Sequence, residues 1–254
     1  DKTGALPGAA ALIERLNAER RPYLVLSNSA SRLPETMAAD LQSLGLQVPA
    51  ERLLTSGMLL AGWMDAQGLE GSRCLVLGPA DTHAYVAGAG GQPRRPEDAG
   101  DAEVIVLADQ KGFDCLAGVN AALSLAIRRL DAGMGVHLVL CNPDLIYPVA
   151  AGRYGVTAGG LAALLEAALR ERYPELDPAF ECLGKPWPAM YAEARRRTGP
   201  GRMIMIGDQP ATDIRGANRF GIDSALVTTG LARHDAPLHG ELRPSFRLAS
   251  LAPP

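Results

Sequence analysis

The segment MIMIGDQPATDIRGA, residues 203–217, carries the strongest chemical signal in this chain. An apolar, strand-like run delivers Gly207 and Asp208 at its carboxyl end, and Asp213 follows five residues on, where the next helix begins. Two carboxylates on one loop suit a hard, oxygen-preferring cation such as Mg²⁺. Gly207 permits a tight turn without side-chain bulk beside a ligand. Taken alone, the pattern also describes Asp213 capping a helix and Asp208 facing solvent at a strand end.

Two further segments could do related chemistry. In ECLGKPWPAMY, a strand-like stretch ends at Gly184, and Lys185 then stands before a Pro-x-Pro run and a helix. Its ammonium is a compact point charge able to hold a phosphate oxygen or neutralise carboxylates. In YLVLSNSASR, Ser27 and Asn28 emerge from an apolar strand with a hydroxyl, an amide and backbone N–H groups, which can ring an anion. Ser and Asn also favour ordinary turns, and most lysines are solvated, so neither segment is specific by itself. No G-x-S-x-G elbow surrounds Ser27, which disfavours a serine hydrolase.

The elements that must position these groups alternate regularly. Apolar strands (YLVLSN, RCLVLG, AEVIVLA, GVHLVL, ECLG, RMIMIGD, SALVTTG) alternate with longer helical stretches. The first helix, LPGAAALIERLNAER, carries Leu12, Ile13 and Leu16 on one face; the second opens at Pro34, turns Met37, Leu41 and Leu44 inward, and closes on Gly45. Leu33 stands where a capping Ser or Thr is common, so that helix start is less well capped. Near-continuous Val/Ile/Leu strands separated by helices predict an α/β fold with a Rossmann-like parallel sheet covered on both faces. Ligand groups in such sheets gather beyond the carboxyl ends of the strands, where SNS, NPD, GKP and GDQPATD all fall.

The middle third has its own strand–helix alternation and a Gly/Pro-rich stretch, AGAGGQPRRPEDAG, read as a loop. This predicts two domains, one made of residues 1–56 and 171–254 and the other an inserted α/β unit, 57–170. SFRLASL is read as a last edge strand.

The chain has 254 residues, enough for a full core, and a net charge of −3. It shows no basic field for nucleic acid or anionic lipid, and no apolar run of the roughly 20 residues a membrane helix needs. Cys74, Cys115, Cys141 and Cys182 are widely separated and form no C-x-x-C or Cys/His cluster. Buried, reduced thiols in a cytoplasmic protein are the expectation.

Taken together, PGAAALIERL, LSNSASR, CNPDLIYP, LGKPWPAMY and MIGDQPATDIRGANRFGIDSALVTTG appear in an order that resembles the haloacid dehalogenase (HAD) superfamily of phosphohydrolases. The match is to the branch with a large α/β cap inserted after motif II, the NagD-like and 4-nitrophenylphosphatase-like group. It spreads over residues 7–230, and the combination is specific although each piece is not.

The resemblance implies a Mg²⁺-dependent phosphatase of a small, sugar-phosphate-like metabolite, acting through a phosphoaspartyl enzyme. Ser27 would be the motif II hydroxyl on the phosphoryl group, where many relatives carry Thr, with Asn28 and Ser29 beside it. Lys185 would be the motif III lysine. Asp208 would bind the metal directly, and Asp213 would support the metal or Lys185. Asn142, Asp144 and Tyr147 of NPDLIYP would lie in the cap and face the substrate, with packing the competing role for Tyr147. No nucleic-acid or membrane partner is implied, and a homodimer through the cap is.

The opening DKTG matches D-x-x-G, the form in which the family presents its nucleophile, yet no strand precedes Asp1 and Pro7 follows only six residues later. Asp1 is therefore expected in the loop after motif I. The nucleophile, the acid/base aspartate and the first strand are then expected upstream of this sequence. The alternatives are a HAD-fold binding or regulatory protein without turnover, a receiver domain, which needs only about half this length, and a Rossmann dehydrogenase, for which GAGG lacks the preceding strand.

Overall fold

The structure, a computed structural model, describes residues 5–150, 152–229 and 237–252. Asp1 lies outside the described residues. The helices are α1 (Ala9–Ala18), α2 (Pro34–Ser43), α3 (Leu60–Gln67), α4 (Ala80–Gly88), α5 (Cys115–Asp131), α6 (Ala158–Arg172), α7 (Pro188–Thr198) and α8 (Arg215–Phe220). The first six strands are β1 (Val25–Ser27), β2 (Leu53–Thr55), β3 (Arg73–Leu77), β4 (Gln92–Arg94), β5 (Val104–Leu107) and β6 (His137–Leu140). They are followed by β7 (Ile146–Ala150), β8 (Arg153–Val156), β9 (Glu181–Cys182), β10 (Ile204–Gly207), β11 (Asp223–Val227) and β12 (Phe246–Leu248). No described helix is long and apolar enough to cross a membrane.

The chain divides into two compact units. Unit 1 comprises residues 1–27, 34–54 and 185–254, and unit 2 comprises residues 28–33 and 55–184. Residues 28–33, 55–56 and 171–184 thus pack with unit 2, whereas the sequence placed them with the first domain.

In unit 1, β10, β11 and β12 form a parallel sheet in that order, with β12 at its edge as SFRLASL predicts. The other strand pair is β1 with β2. On α1 the half-buried residues include Leu12, Ile13 and Leu16. Helix α2 ends where Gly45 takes φ 82° and the Leu46 N–H returns to the Leu41 carbonyl, a turn for which glycine carries no side-chain penalty. Ile204 and Ile206 keep 49% and 41% of their surface, so the described residues do not cover that face of β10 as a doubly covered sheet would require.

Unit 2 holds a five-stranded sheet, β4-β3-β5-β6-β9, parallel throughout. Strands β3, β5 and β6 are buried on both faces, which explains their unbroken apolar sequences. Leu75, Leu77, Ile105 and Leu107 face α5 and α6 in one core, and Cys74, Val76, Val104 and Val106 face α3 and α4 in the other. Strands β7 and β8 pair as an antiparallel hairpin.

The stretch AGAGGQPRRPEDAG is not wholly loop, because Gln92–Arg94 forms β4. Proline hides this strand from a sequence reading, and its edge position makes Pro93 tolerable there. The cysteine expectation also needs correction, since Cys74 and Cys141 are buried but Cys115 is exposed at the start of α5. Burial holds the Cys141 thiol up at about 12, so it stays protonated.

Candidate active site

In unit 1, strand β10 ends at Gly207, and Asp208 follows, half-buried. A π-helical turn, Pro210–Ile214, then runs into α8 and folds Asp213 back toward the strand. The Asp213 N–H donates to the Gln209 carbonyl at 2.9 Å, and the Gln209 N–H donates to Asp213 Oδ2 at 3.1 Å. A Cβ on residue 207 would lie 2.2 Å from Asp213 Oδ2, so this approach requires glycine.

Lys185 reaches the same carboxylate from a segment 28 residues earlier, its Nζ 2.7 Å from Asp213 Oδ1. The ammonium also donates to the Leu26 carbonyl at 3.3 Å, one residue before Ser27. The two side chains are 12% and 5% exposed, so the pair is largely withdrawn from water. Both oxygens of Asp213 are therefore engaged, one by a cation and one by a backbone N–H. The structure thus brings together Lys185, Asp213 and the end of the strand that carries Ser27.

Tyr191 completes this shell, and nothing in PAMYAEA marks it beyond an inward helical position. It is fully buried on α7, and its hydroxyl lies 3.2 Å from the carbonyls of both Thr212 and Asp213. Burial, with the Asp213 charge adding to it, holds the phenol well above its ordinary range. Gly216 leaves room for the ring: a Cβ there would stand 2.3 Å from the hydroxyl.

The remaining predicted residues lie in unit 2. Asn28, 8% exposed, donates from Nδ2 to Asp144 Oδ1 at 3.4 Å, and the Asp144 N–H donates to Asn142 Oδ1 at 3.1 Å. Gly184 packs against this group, its missing Cβ position 2.7 Å from Asn28 Oδ1 and from the Pro143 ring. Ser29 Oγ lies 3.2 Å from Ser31 Oγ and accepts from the Ser31 N–H at 3.3 Å. Tyr147 lies on β7, its ring packed over Gly155 of β8, with Lys111 Nζ 6.0 Å from the ring centre. No local pattern marks Lys111, an exposed lysine in a loop.

Among the described residues, no three carboxylate, imidazole or thiolate side chains gather into a closed metal cage. That suits Mg²⁺, which is commonly held by one or two carboxylates together with substrate phosphate and water. Asp208, an oxygen donor at the end of β10 and next to Gly207, which packs against Asp213, fits that donor set.

Comparison with known proteins agrees with this geometry. Residues 1–92 match the haloacid dehalogenase-like hydrolase family and residues 182–253 match the HAD-hydrolase-like family. Dihydroxyacetone phosphatase of Corynebacterium glutamicum is 27% identical over 97% of this chain and 83% of its own length. A solved structure described as a possible sugar phosphatase of the HAD superfamily, from Cytophaga hutchinsonii, superimposes with a TM-score of 0.82. It is 27% identical and covers 100% of this chain and 90% of its own. Glycerol phosphate phosphatase of Mycobacterium tuberculosis, solved with magnesium and separately with calcium, gives a TM-score of 0.77 at 27% identity in the magnesium form. It covers 98% of this chain, which spans 71% of that structure. With motif order, parallel sheets and these likenesses in agreement, the chain belongs to the haloacid dehalogenase superfamily, in its branch of NagD-like and 4-nitrophenylphosphatase-like phosphatases.

Proposed function

We propose that this protein hydrolyses the phosphate monoester of a small, sugar-phosphate-like metabolite, using Mg²⁺. The observation that carries the reading is the buried Lys185–Asp213 pair, tied to the Leu26 carbonyl at the end of β1. It sets a fixed cation beside the strand end that presents Ser27, where a phosphoryl group would meet hydroxyl, N–H and ammonium together. The names of the relatives, phosphatases of dihydroxyacetone phosphate and glycerol phosphate, support a three-carbon or sugar phosphate over a nucleotide.

In this reading Ser27 donates its hydroxyl hydrogen to a phosphoryl oxygen, with Asn28 and Ser29 lining the same turn. Lys185 offsets the negative charge that accumulates on the phosphoryl oxygens, and Asp213 holds Lys185 in place. Asp208 is the direct metal ligand; Asp213, with both oxygens engaged, acts through Lys185. Bound Mg²⁺ would supply charge neutralisation at the phosphoryl oxygens. The phosphoryl group passes first to an aspartate and then to water, the P–O bond to the leaving alcohol breaking in the first step.

Residues 57–170 serve as the inserted cap, whose Asn142, Asp144 and Tyr147 meet the leaving group. Two copies associate through this unit, a reading supported by Leu145, Ile146, Tyr154 and Val156, all more than half exposed on or beside the β7–β8 hairpin. A cytoplasmic location agrees with the free cysteines.

The test is phosphate release from p-nitrophenyl phosphate by the full-length protein, with Mg²⁺ and with excess chelator, beside Asp208→Ala. Turnover abolished both by chelator and by the substitution supports the reading. Turnover indifferent to either removes it.

A further inference from the structure

Residues 28–33 follow directly on Ser27, and side chains from elsewhere in unit 2 hold their backbone at four points. Ser56 Oγ donates to the Asn28 carbonyl at 2.9 Å, and Thr82 Oγ1 donates to the Ala30 carbonyl at 2.8 Å. The Tyr85 hydroxyl donates to the Arg32 carbonyl at 2.8 Å, and the Leu33 N–H donates to Asp81 Oδ2 at 2.9 Å. Thr55 Oγ1 lies 2.8 Å from the Tyr85 hydroxyl. Because that phenol has one hydrogen and gives it to Arg32, Thr55 is the donor between them.

The hydroxyl side of this network is withdrawn from water. Thr55, Ser56, Thr82 and Ala30 are 0% exposed and Tyr85 is 9% exposed. Gly57 seats the tyrosine, since a Cβ there would lie 2.6 Å from its ring. Hydroxyls shut away from water are costly unless bonded, and every one of these is spent on the 28–33 backbone or on Tyr85, which itself holds that backbone. Three carbonyls at alternate residues, 28, 30 and 32, are each held by a hydroxyl, so the segment's course is set over its whole length.

We infer that Ser56, Asp81, Thr82 and Tyr85 are positioning residues for the phosphate-binding turn: they fix the backbone of residues 28–33 and through it Asn28 and Ser29. The inference rests on the proposed phosphatase reading and extends it, because it gives the inserted unit a second task besides meeting the leaving group. An anion-binding turn works only when its donors already point at the anion. A turn left free would spend part of the binding energy on ordering itself.

The experiment compares Thr82→Val, Thr82→Ser and Tyr85→Phe with wild type in the full-length protein with Mg²⁺. It reads competitive inhibition by inorganic phosphate, KM and kcat for p-nitrophenyl phosphate, amide hydrogen exchange of residues 28–33, and the melting temperature. Thr82→Val leaves the buried Ala30 carbonyl short of a donor and Tyr85→Phe frees the Arg32 carbonyl, and both are expected to weaken phosphate inhibition and raise KM about tenfold. Exchange at 28–33 should quicken in both, and the hydroxyl-retaining Thr82→Ser should recover most of the loss. Folded variants whose phosphate affinity and KM stay within about twofold of wild type overturn the positioning role while leaving the phosphatase reading standing, whether or not exchange or melting temperature changes. A wild-type protein that neither binds phosphate nor turns over overturns the phosphatase reading, and the positioning role with it.

Discussion

Lys185 Nζ and Asp213 Oδ1 stand 2.7 Å apart across 28 residues of sequence, at a point where both side chains have almost left water. A buried pair of this kind adds little net stability against an apolar replacement, but breaking it strands a charge. Lys185→Met is therefore expected to destabilise the full-length protein by about 3–5 kcal/mol and to lower kcat by at least about a hundredfold. Lys185→Arg should not recover activity, because a planar guanidinium cannot take the place of a compact ammonium against both Asp213 and the Leu26 carbonyl. Urea unfolding and steady-state kinetics check both.

Gly207 and Asp213 set a second constraint. An added methyl at 207 would lie 2.2 Å from Asp213 Oδ2 and within 2.5 Å of its Cβ. Gly207→Ala must push the carboxylate off Lys185 or shift β10, at a cost of about 1–3 kcal/mol. Activity is expected to fall with stability, and a variant that keeps full kcat would show that Asp213 tolerates displacement.

Tyr191 yields a pH dependence. Its folded pKa lies above the ordinary phenol value because the hydroxyl is buried, with the Asp213 charge adding to the effect. The unfolded chain gives up the proton near pH 10 while the folded one retains it, so this contribution is full below about pH 10 and is lost as pH rises further. Tyr191→Phe should destabilise the protein by about 1 kcal/mol at neutral pH and flatten the loss of stability above pH 10. Thermal unfolding of the two proteins from about pH 8 to 11 makes the comparison.

Glu193 acts at the other end of the scale. Hydrogen bonds from Arg196 and then Arg197, working against some burial, bring its carboxyl down to about 2. Its contribution is present above the ordinary carboxylate pKa of about 4.3 and is lost as pH falls from there toward 2. Glu193→Gln is expected to leave turnover at neutral pH near wild type and to make acid unfolding shallower in that window.

In unit 2, Gly184 permits the contact that gathers Asn28, Pro143 and the Cys141 carbonyl. A Cβ at 184 would lie 2.7 Å from Asn28 Oδ1 and 2.8 Å from the Cys141 oxygen. Gly184→Ala should raise KM for p-nitrophenyl phosphate about tenfold, with a smaller change in kcat, by displacing Asn28. Steady-state kinetics at saturating Mg²⁺ separates the two constants.

Much of this was legible in the chain itself, for local reasons. The Val/Ile/Leu runs of β3, β5 and β6 announce a buried parallel sheet because strands covered on both faces have no polar side to display. Gly45 marks the end of α2 through the positive φ its turn needs, and Gly207-Asp208 and Gly184-Lys185 stand out as chemistry at strand ends. Tertiary structure decided what depends on distant segments meeting. The ammonium of Lys185 finds Asp213 only through the arrangement of unit 1, and Tyr191 becomes a supporting donor only because α7 lays it against the π turn. Strand β4 escaped notice because Pro93 is a poor strand residue that an edge position tolerates. The sequence alone assigns residues 28–33 to the first domain, yet the hydroxyls of Ser56, Thr82 and Tyr85 hold them within unit 2. Periodicity and turn chemistry are written within a few residues of sequence. Which buried donor meets which buried acceptor depends on the packed chain as a whole, and no local pattern records it.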